Sequence, residues 1–295
     1  MIEKKLSHLA NKKVLDFYKS LPFNYYSDIT KQIESVKNGQ SNISANAPLE
    51  IAIKKSKTIV DVGCGAGWLS NSISYLYKDR EVTGVDFNSV AVDRAKEVAK
   101  KLNLKTRFQV EDLFNYKPKN RFDLVVSIGV LMCTNDCMEA IRSLIKNMLK
   151  PGGTIYIGLY HTHGRKPFLE YFRKLQAKGY SEDKLLDEYT KLHSSLKDKV
   201  HIKSWFRDQV LHPHETLHTL KEILPVLDSE GMKLISTSIN KFEPIKYEIG
   251  TGYDQSQIKE IFTQEEKMKD ISEQALKDKR YYPGFFTFAA ESKKN

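Results

Sequence analysis

Short apolar runs alternate with helix-length segments along much of this chain. The runs have the length and β-branched content of buried parallel strands, and they lie at residues 58–62, 81–86, 105–110, 122–127 and 153–160. Between them, the segments 89–102 and 137–149 have helical patterning. This alternation predicts an α/β fold, with a parallel sheet covered by helices on both faces.

The pattern changes on either side of this region. Residues 1–50 precede the first strand and are predicted to form a helical leader, while residues 51–295 form the main domain. Helical insertions are predicted within that domain at about 161–214, after the fifth strand, and at about 241–281, after the sixth. The remaining predicted elements are a helix beginning near Glu215 and strands at 232–239 and 285–290.

The leader contains three aromatic residues close together, Phe23, Tyr25 and Tyr26. They are candidates for part of a lid over a ligand crevice. They are equally suited to act as apolar anchors that pin the leader to the domain, and both interpretations stay open.

The chain has 295 residues and a formal net charge of +10. The excess is mostly lysine spread along the sequence, without an arginine-rich cluster, so a nucleic-acid partner is an alternative and not the first interpretation. Cys64, Cys133 and Cys137 lack the spacing of a disulfide framework or a metal site and fit a reducing, cytoplasmic compartment. No apolar stretch approaches the length of a transmembrane helix, and residues 1–6 lack a signal-peptide core, so no membrane insertion is expected.

A glycine-rich turn follows the first strand. Gly63, Gly65 and Gly67 let the backbone turn tightly beneath a ligand that a Cβ atom would repel. Asp86 ends the second strand, where its carboxylate can accept hydrogen bonds from both hydroxyls of a ribose. Together they predict a site for an adenosine-containing cofactor. They still allow a nicotinamide-dependent enzyme, in which the third glycine falls one position later.

Further motifs narrow this choice. Asp61 lies two positions before the first glycine, and the segments 111–114, 122–127 and 149–153 follow in order with helix-sized gaps. With the glycine turn, they resemble the class I S-adenosylmethionine-dependent methyltransferases over residues 58–160. The resemblance implies a Rossmann-like, seven-stranded, mostly parallel sheet whose last strand is antiparallel. It also implies S-adenosylmethionine as the methyl donor and S-adenosylhomocysteine as the product.

The same resemblance implies which residues bind the cofactor. The glycine turn would pass beneath the methionine and ribose, Asp86 would take the ribose hydroxyls, and Asp112 and Leu113 would face the adenine. Three of these residues also have possible structural roles: Asp112 could cap the following segment, Asp61 could cap a turn and Phe87 could belong to the core. The full predicted set is Asp61, Gly63, Cys64, Gly65, Gly67, Trp68, Asp86, Phe87, Asp112, Leu113, Ser127 and Gly129.

The methyl acceptor is expected to lie against residues beyond the fifth strand, because strand carboxyl ends point at the ligand crevice in this fold. Two arginines there suggest an anionic acceptor, and three histidines are candidates to orient it or to accept a proton near neutral pH. The predicted acceptor-site residues are His161, Arg165, Arg207, His212 and His214.

The segment around these histidines also has a purely structural interpretation. In that interpretation Pro213 opens a helix whose first turn Glu215 stabilises, and Arg207 pairs with Asp208. The histidine spacing additionally invites a zinc or iron site. A proline separates the two nearest histidines and no carboxylate is suitably placed, so no metal site is predicted.

The combined prediction is a methyltransferase acting on an O or N atom of a small molecule by in-line displacement, with an anionic acceptor suggested by the arginines. An RNA methyltransferase is an alternative, with Trp205, Phe206 and Arg207 as a stacking and phosphate platform. A non-catalytic subunit that binds an adenosyl ligand is another. A nicotinamide-dependent oxidoreductase is a weaker one, since no Tyr-x-x-x-Lys pair is placed at the crevice. The sequence does not indicate an oligomeric state.

Overall fold

The computed structural model describes residues 12–243 and 252–292, and a seven-stranded sheet lies at the centre of this part of the chain. The strand order is β3-β2-β1-β4-β5-β7-β6. The strands are β1 (Thr58–Val62), β2 (Glu81–Asp86), β3 (Arg107–Val110), β4 (Phe122–Ile128), β5 (Leu149–Tyr160), β6 (Met232–Thr237) and β7 (Phe285–Ser292). The first five are parallel to one another, whereas β7 is antiparallel to both β5 and β6. The predicted Rossmann-like α/β class is confirmed.

Helices precede the sheet, connect its strands and form the insertions. The leader contains α1 (12–20), α2 (Ile29–Lys37), α3 (Gly39–Ser44) and α4 (Ala47–Lys55). The connecting helices are α5 (Trp68–Leu76), α6 (Ser89–Lys101) and α7 (Cys137–Met148), with a short 3-10 turn at Leu131–Cys133. The remaining helices are α8 (Thr162–Ala177), α9 (Glu182–Leu192), α10 (Lys199–Val210), α11 (Leu220–Ser229) and α12 (Gln255–Lys277).

Both faces of the central strands are buried, as expected of a parallel sheet covered by helices. In β4, Val125 packs in an apolar cluster that includes Leu144 of α7, whereas Leu124 and Val126 pack with Ile73 of α5 on the other face. This alternation follows from the two-residue period of a strand. Because side chains on both faces are buried, each strand appears in the sequence as a continuous apolar run.

The insertion after β5 has an apolar cluster of its own. Helices α8, α9 and α10 pack around Phe168, Phe172, Tyr189 and Phe206. Because α8 begins directly after β5, this unit lies beyond the carboxyl end of that strand. Helix α12 falls within the second predicted insertion, but residues 244–251 of that insertion lie outside the described residues, as do residues 1–11 of the leader.

The predicted helix start near Glu215 is wrong. Helix α11 begins at Leu220, because Thr219 and Glu222 form a reciprocal capping box at its first turn. Residues 211–219 instead form an irregular segment, in which His218 makes a parallel bridge with His161. Pro213 therefore does not open a helix.

Candidate cofactor and acceptor site

The glycine turn closes against the end of the neighbouring strand. The backbone N–H groups of Gly63 and Cys64 both donate to the Val85 carbonyl of β2, at 2.7 and 3.1 Å. Gly65 has φ of +50°, and a Cβ atom built on it would meet no atom within 4 Å. A Cβ atom on Gly67 would instead come within 2.6 Å of the Ala95 Cβ of α6. Gly65 therefore leaves room for a ligand, whereas Gly67 allows the turn to pack on α6.

The open space beside Gly65 lies at the point in the sheet where the strand order reverses. Strand order runs outward from β1 to β2 and β3 on one side, and from β4 onward on the other. Gly129, directly after β4, also has positive φ and open space where a Cβ would be. In open α/β sheets this switch point, outside the carboxyl ends of the strands, is where ligands bind.

Two buried carboxylates support the turn. Asp86 accepts hydrogen bonds from the backbone N–H groups of Gly65 and Asn88, both at 2.8 Å, so it ties the turn to β2. Burial raises the pKa of Asp86, against the effect of those N–H donors. Asp61 accepts from the Ser70 hydroxyl at 2.6 Å, and burial, with the nearby charge of Asp86, raises its pKa to about 6.

The other predicted cofactor residues make different contacts within the protein. Asp112 accepts from the Phe114 backbone N–H at 2.9 Å, so it caps the turn that follows β3. The fully buried Ser127 donates to the Val62 carbonyl at 2.9 Å and joins β4 to the end of β1. The Trp68 indole points to the leader and donates to the Ser35 carbonyl at 3.0 Å. The three remaining side chains are buried or half-buried: Cys64, Phe87 and Leu113.

The leader crosses this crevice. The Asn88 side-chain amide donates to the Tyr18 carbonyl at 3.1 Å, and the Tyr18 hydroxyl donates to Asp208 of α10 at 2.5 Å. Farther along the leader, Tyr25 contacts Arg94 of α6 through its hydroxyl. The leader is thus bonded both to the cofactor side of the sheet and to the insertion.

The leader's other aromatic residues also pack against the insertion. Tyr26 stacks on His201 of α10, with ring centroids 4.0 Å apart. Phe23 packs on Trp205, with centroids 4.8 Å apart. These contacts are those expected of residues that anchor the leader. That the same residues also form part of a lid stays a prediction.

Asp208 is the centre of a buried polar cluster that the sequence did not reveal. It accepts hydrogen bonds from Tyr18, from Gln209 at 2.6 Å and from the Tyr160 hydroxyl at 3.4 Å. Burial raises the pKa of Asp208, while these donors favour the ionised form. The only signal in the sequence was the polar pair Asp208–Gln209 next to the apolar Phe206 on one helix. Its other partners, Tyr18 and Tyr160, lie far away along the chain.

Both arginines make hydrogen bonds within the protein, and those of Arg165 use all three of its guanidinium nitrogens, which corrects its predicted role. Arg165 is fully buried. It donates to Glu215 through Nε and one terminal nitrogen, at 3.0 and 2.9 Å, and to Gln209 through both terminal nitrogens, at 3.0 and 2.7 Å. Arg207 donates to the Phe17 carbonyl at 3.2 Å and to the Ser20 hydroxyl at 2.7 Å. Arg207 therefore holds the leader, and it does not pair with Asp208.

His161 is also a structural residue. Its ring is fully buried, its Nδ1 accepts from the backbone N–H groups of His163 and Gly164, and its Nε2 lies 2.9 Å from Glu265 of α12. Since Nδ1 accepts, Nε2 carries the proton and donates to Glu265, an assignment that follows from the hydrogen-bond pattern. His161 therefore caps α8 and binds α12, so its predicted catalytic role is wrong.

The two histidines after α10 are held by contacts within the protein. Burial lowers the pKa of His212 to about 4, and its Nδ1 accepts from the His214 backbone N–H at 3.2 Å. His212 is thus a neutral, weak base, unlike the proton acceptor predicted for it. His214 lies 3.0 Å from the Thr134 carbonyl through Nε2, so it fixes this segment to the turn after β4.

The RNA platform predicted from Trp205, Phe206 and Arg207 is not formed. Phe206 is fully buried in the insertion's cluster. The Trp205 ring packs against Phe23, and its N–H donates to the His201 ring at 2.9 Å.

Within the described residues, no cluster of three His, Cys, Asp or Glu side chains is placed to hold a metal ion.

Two cavities flank the sheet at opposite ends. One of about 300 Å³ lies between α8 and the segment that follows α10. Its lining is Leu169, Phe172, Arg173, Gln176, Gln209, Val210, His212, Pro213, His214 and Glu215. The other, of about 480 Å³, opens at the amino ends of the first strands, beside Thr58, Glu81 and Arg107. The 480 Å³ cavity lies at the amino end of the sheet, which is the wrong end for a cofactor.

In the described ranges, no helix has the length and apolar content needed to cross a bilayer.

Comparison with known proteins agrees with this geometry. Residues 53–183 match the family described as "Methyltransferase domain". The chain is 32% identical over 118 residues to malonyl-(acyl-carrier protein) O-methyltransferase 1 of Ilyobacter polytropus, covering 40% of this chain and 42% of that protein. It is 32% identical over 103 residues to the ubiquinone biosynthesis O-methyltransferase of Coxiella burnetii, covering 35% and 43%. The matches span about two fifths of the length of these curated relatives.

A solved structure shares the fold over nearly the full length of both chains. Magnesium protoporphyrin IX methyltransferase from Synechocystis PCC 6803, with bound S-adenosylhomocysteine, has a TM-score of 0.52 at 13% identity, covering 98% of this chain and 99% of that one. The matched segment contains β1 to β5 and the glycine turn. Residues 53–183 of this chain are therefore similar to the methyltransferase domain family, and the chain has the fold of a methyltransferase of known structure.

Proposed function

We propose that this chain transfers a methyl group from S-adenosylmethionine to an oxygen or nitrogen atom of a small molecule. The observation that carries the proposal is the open turn at Gly65, placed at the switch point and bonded to the buried Asp86. A Cβ atom there would occupy the room that a cofactor needs. The O-methyltransferase names of two relatives favour oxygen over nitrogen.

The residues present suit an adenosyl cofactor. The glycine turn would lie beneath the methionine and ribose, and Asp86 would exchange a backbone donor for ribose hydroxyls. Bound S-adenosylmethionine supplies an electrophilic methyl group on a sulfonium. The protein's own task is then to align the acceptor with that methyl group and to exclude water, which is where most of the rate enhancement in such a displacement arises. The leader, which crosses the crevice at Tyr18, is placed to exclude water.

The anionic acceptor suggested earlier loses most of its support, because all three guanidinium nitrogens of Arg165 donate within the protein and Arg207 binds the leader. A nicotinamide-dependent reaction is disfavoured by the match to the methyltransferase family over residues 53–183. A small-molecule acceptor remains the best proposal, since the surface predicted to stack RNA bases is buried against the leader and the insertion.

Calorimetric titration with S-adenosylmethionine, S-adenosylhomocysteine and NAD tests the donor. We expect binding of the two adenosyl sulfur ligands, and loss of that binding in Asp86→Ala. An Asp278→Ala variant is the matched control, because that exposed carboxylate after α12 pairs with Arg280, is not among the predicted site residues and should leave both affinities unchanged. Tight binding of NAD without the sulfur ligands would contradict the proposal.

A further inference from the structure

We propose, on the basis of the proposed function, that Tyr18 and Asp208 bind the methyl acceptor through a hydroxyl or amine that donates a hydrogen bond, and that Asp208 receives its proton. The pair lies 190 positions apart in sequence and is joined by a hydrogen bond of 2.5 Å. It is therefore a contact made only by the folded leader and insertion.

The position of Tyr18 follows from its two bonds. Its carbonyl accepts from Asn88, directly after β2, and its hydroxyl donates to Asp208, which contacts Tyr160 at the end of β5. In the sheet order β2-β1-β4-β5, those two ends are separated by three strand spacings, or roughly 14 Å. Tyr18 must therefore pass over the carboxyl ends of β1 and β4. That is the switch point at which the methyl group would be presented.

The charge around Asp208 selects the kind of group it can bind. Its partners are the neutral donors Tyr18, Tyr160 and Gln209. Within the described part of the chain, neither Arg165 nor Arg207 forms an ion pair with it. The Arg165 charge lies near enough to favour the ionised form of Asp208, but its nitrogens donate to Glu215 and Gln209. A buried carboxylate whose direct partners are neutral donors favours an O–H or N–H group over an anion.

Tyr18 can link the acceptor to Asp208. A tyrosine hydroxyl that donates its hydrogen keeps lone pairs that accept one from another group. An acceptor hydroxyl bonded to Tyr18 would place its oxygen beside the crevice and connect its hydrogen to Asp208 through the Tyr18 hydroxyl.

The transfer step then balances. A bond forms between the acceptor oxygen or nitrogen and the methyl carbon, and the carbon–sulfur bond breaks with its electron pair moving to sulfur. The acceptor hydrogen passes as a proton to the Tyr18 oxygen while the Tyr18 proton moves to Asp208. The products are the methylated acceptor, S-adenosylhomocysteine and a protonated Asp208, which later releases its proton to water.

The experiment uses the full chain, S-adenosylmethionine labelled with tritium in the methyl group, and a deproteinised small-molecule extract of cells. Labelled products are treated with mild alkali, which releases methanol from methyl esters and leaves methyl ethers and N-methyl groups intact. We expect the label to be stable to alkali. Release of the label as methanol would show a carboxylate acceptor and overturn the assignment.

Variants test the two residues. Asp208→Asn should lower the rate of transfer at least about 100-fold, the usual contribution of a general base. Tyr18→Phe keeps the ring contacts and should lower it about 10-fold, as expected for one lost hydrogen bond. Tyr26→Phe is the matched control, since it is a leader tyrosine that stacks on the same helix and should leave transfer unchanged.

Calorimetry with S-adenosylhomocysteine separates this assignment from the proposed function. We expect Asp208→Asn and Tyr18→Phe to bind it as the unmodified chain does, with transfer lost. Unchanged transfer in Asp208→Asn, or equal loss of transfer and of binding, would overturn the assignment alone. An unmodified chain that binds the ligand and transfers no label would contradict the proposed function itself.

Discussion

Arg165 and Glu215 form a two-point ion pair between helix α8 and the segment after α10, with nitrogen–oxygen distances of 3.0 and 2.9 Å. The same guanidinium donates twice to Gln209 and lies over the Tyr160 ring. One side chain thus binds three parts of the insertion to the end of β5. This is why an arginine that resembles an anion-binding residue in the sequence is a structural residue in the fold.

Removal of this arginine should destabilise the protein strongly. Arg165→Ala leaves the Glu215 carboxylate and the Gln209 carbonyl without a buried partner, and we expect the free energy of unfolding to fall by about 3–5 kcal/mol. Chemical denaturation measures this. Arg280→Ala removes an exposed pair with Asp278 and should cost no more than about 1 kcal/mol. Similar losses in the two variants would contradict the structural role.

Glu265 offers a test based on hydrogen bonds and not on charge. Its Oε1 atom accepts from His161 Nε2 and from the Leu220 backbone N–H, and both donors are buried. Glu265→Ala orphans both, and we expect a loss of about 2–5 kcal/mol in unfolding free energy. Glu265→Gln keeps that oxygen, so its loss should be less than about 1 kcal/mol. Melting curves of the two variants compare them, and equal melting temperatures would contradict the assignment.

Asp61 should make stability depend on pH. Burial first, and the charge of Asp86 second, raise its pKa from 3.8 to about 6 in the folded state. Between those values the folded chain binds more protons than the unfolded chain, so stability falls as pH rises through this window. About two pKa units correspond to roughly 3 kcal/mol.

The variant Asp61→Asn tests that dependence. It keeps an oxygen for the Ser70 hydroxyl and cannot ionise, so denaturation measured between pH 4 and 6 should lose this part of the slope. Ser70→Ala removes a hydrogen bond that favours the ionised form and should move the window to higher pH. An unchanged slope in Asp61→Asn would show that other groups cause it.

The two kinds of glycine in the turn should respond differently to substitution. Asparagine tolerates positive φ, so Gly65→Asn should fold while its side chain enters the open space, and we expect at least about 10-fold weaker binding of S-adenosylhomocysteine. Gly231 also has positive φ and open space but follows α11, so Gly231→Asn is the matched control and should bind normally. Gly67→Ala should lower stability, because its Cβ meets Ala95. Normal binding in Gly65→Asn would contradict the site.

The sheet was predictable because each strand and its turn are local in sequence. Apolar runs and the glycine turn carry their own structural information, and their order defines the parallel sheet. The start of α11 was also readable, since Thr219 and Glu222 have the spacing of a capping box, but Pro213 and Glu215 formed a competing signal. The residue at which a helix starts, where two such signals compete, depends on tertiary contacts that a single segment of sequence does not show.

The acceptor side was not predictable in the same way. The partner of Arg165 is 50 positions away, and the partner of Asp208 is 190 positions away. A sequence shows that a side chain carries charge but not whether another part of the chain has already paired with it. His161 and the two arginines were therefore assigned to an acceptor site, Asp208 was considered only as a partner of Arg207, and Tyr18 was overlooked.

The position of β7 between β5 and β6 has a consequence for how the molecule is made. Within the described residues, β6 pairs with β7 alone, yet it is synthesised well before β7. Until β7 arrives, β6 has no neighbour, and the outer edge of β5 presents unpaired backbone groups to any other strand nearby. Newly made chains should be most prone to associate wrongly in that interval. The interval ends when β7 enters the sheet between β5 and β6 and pairs with both.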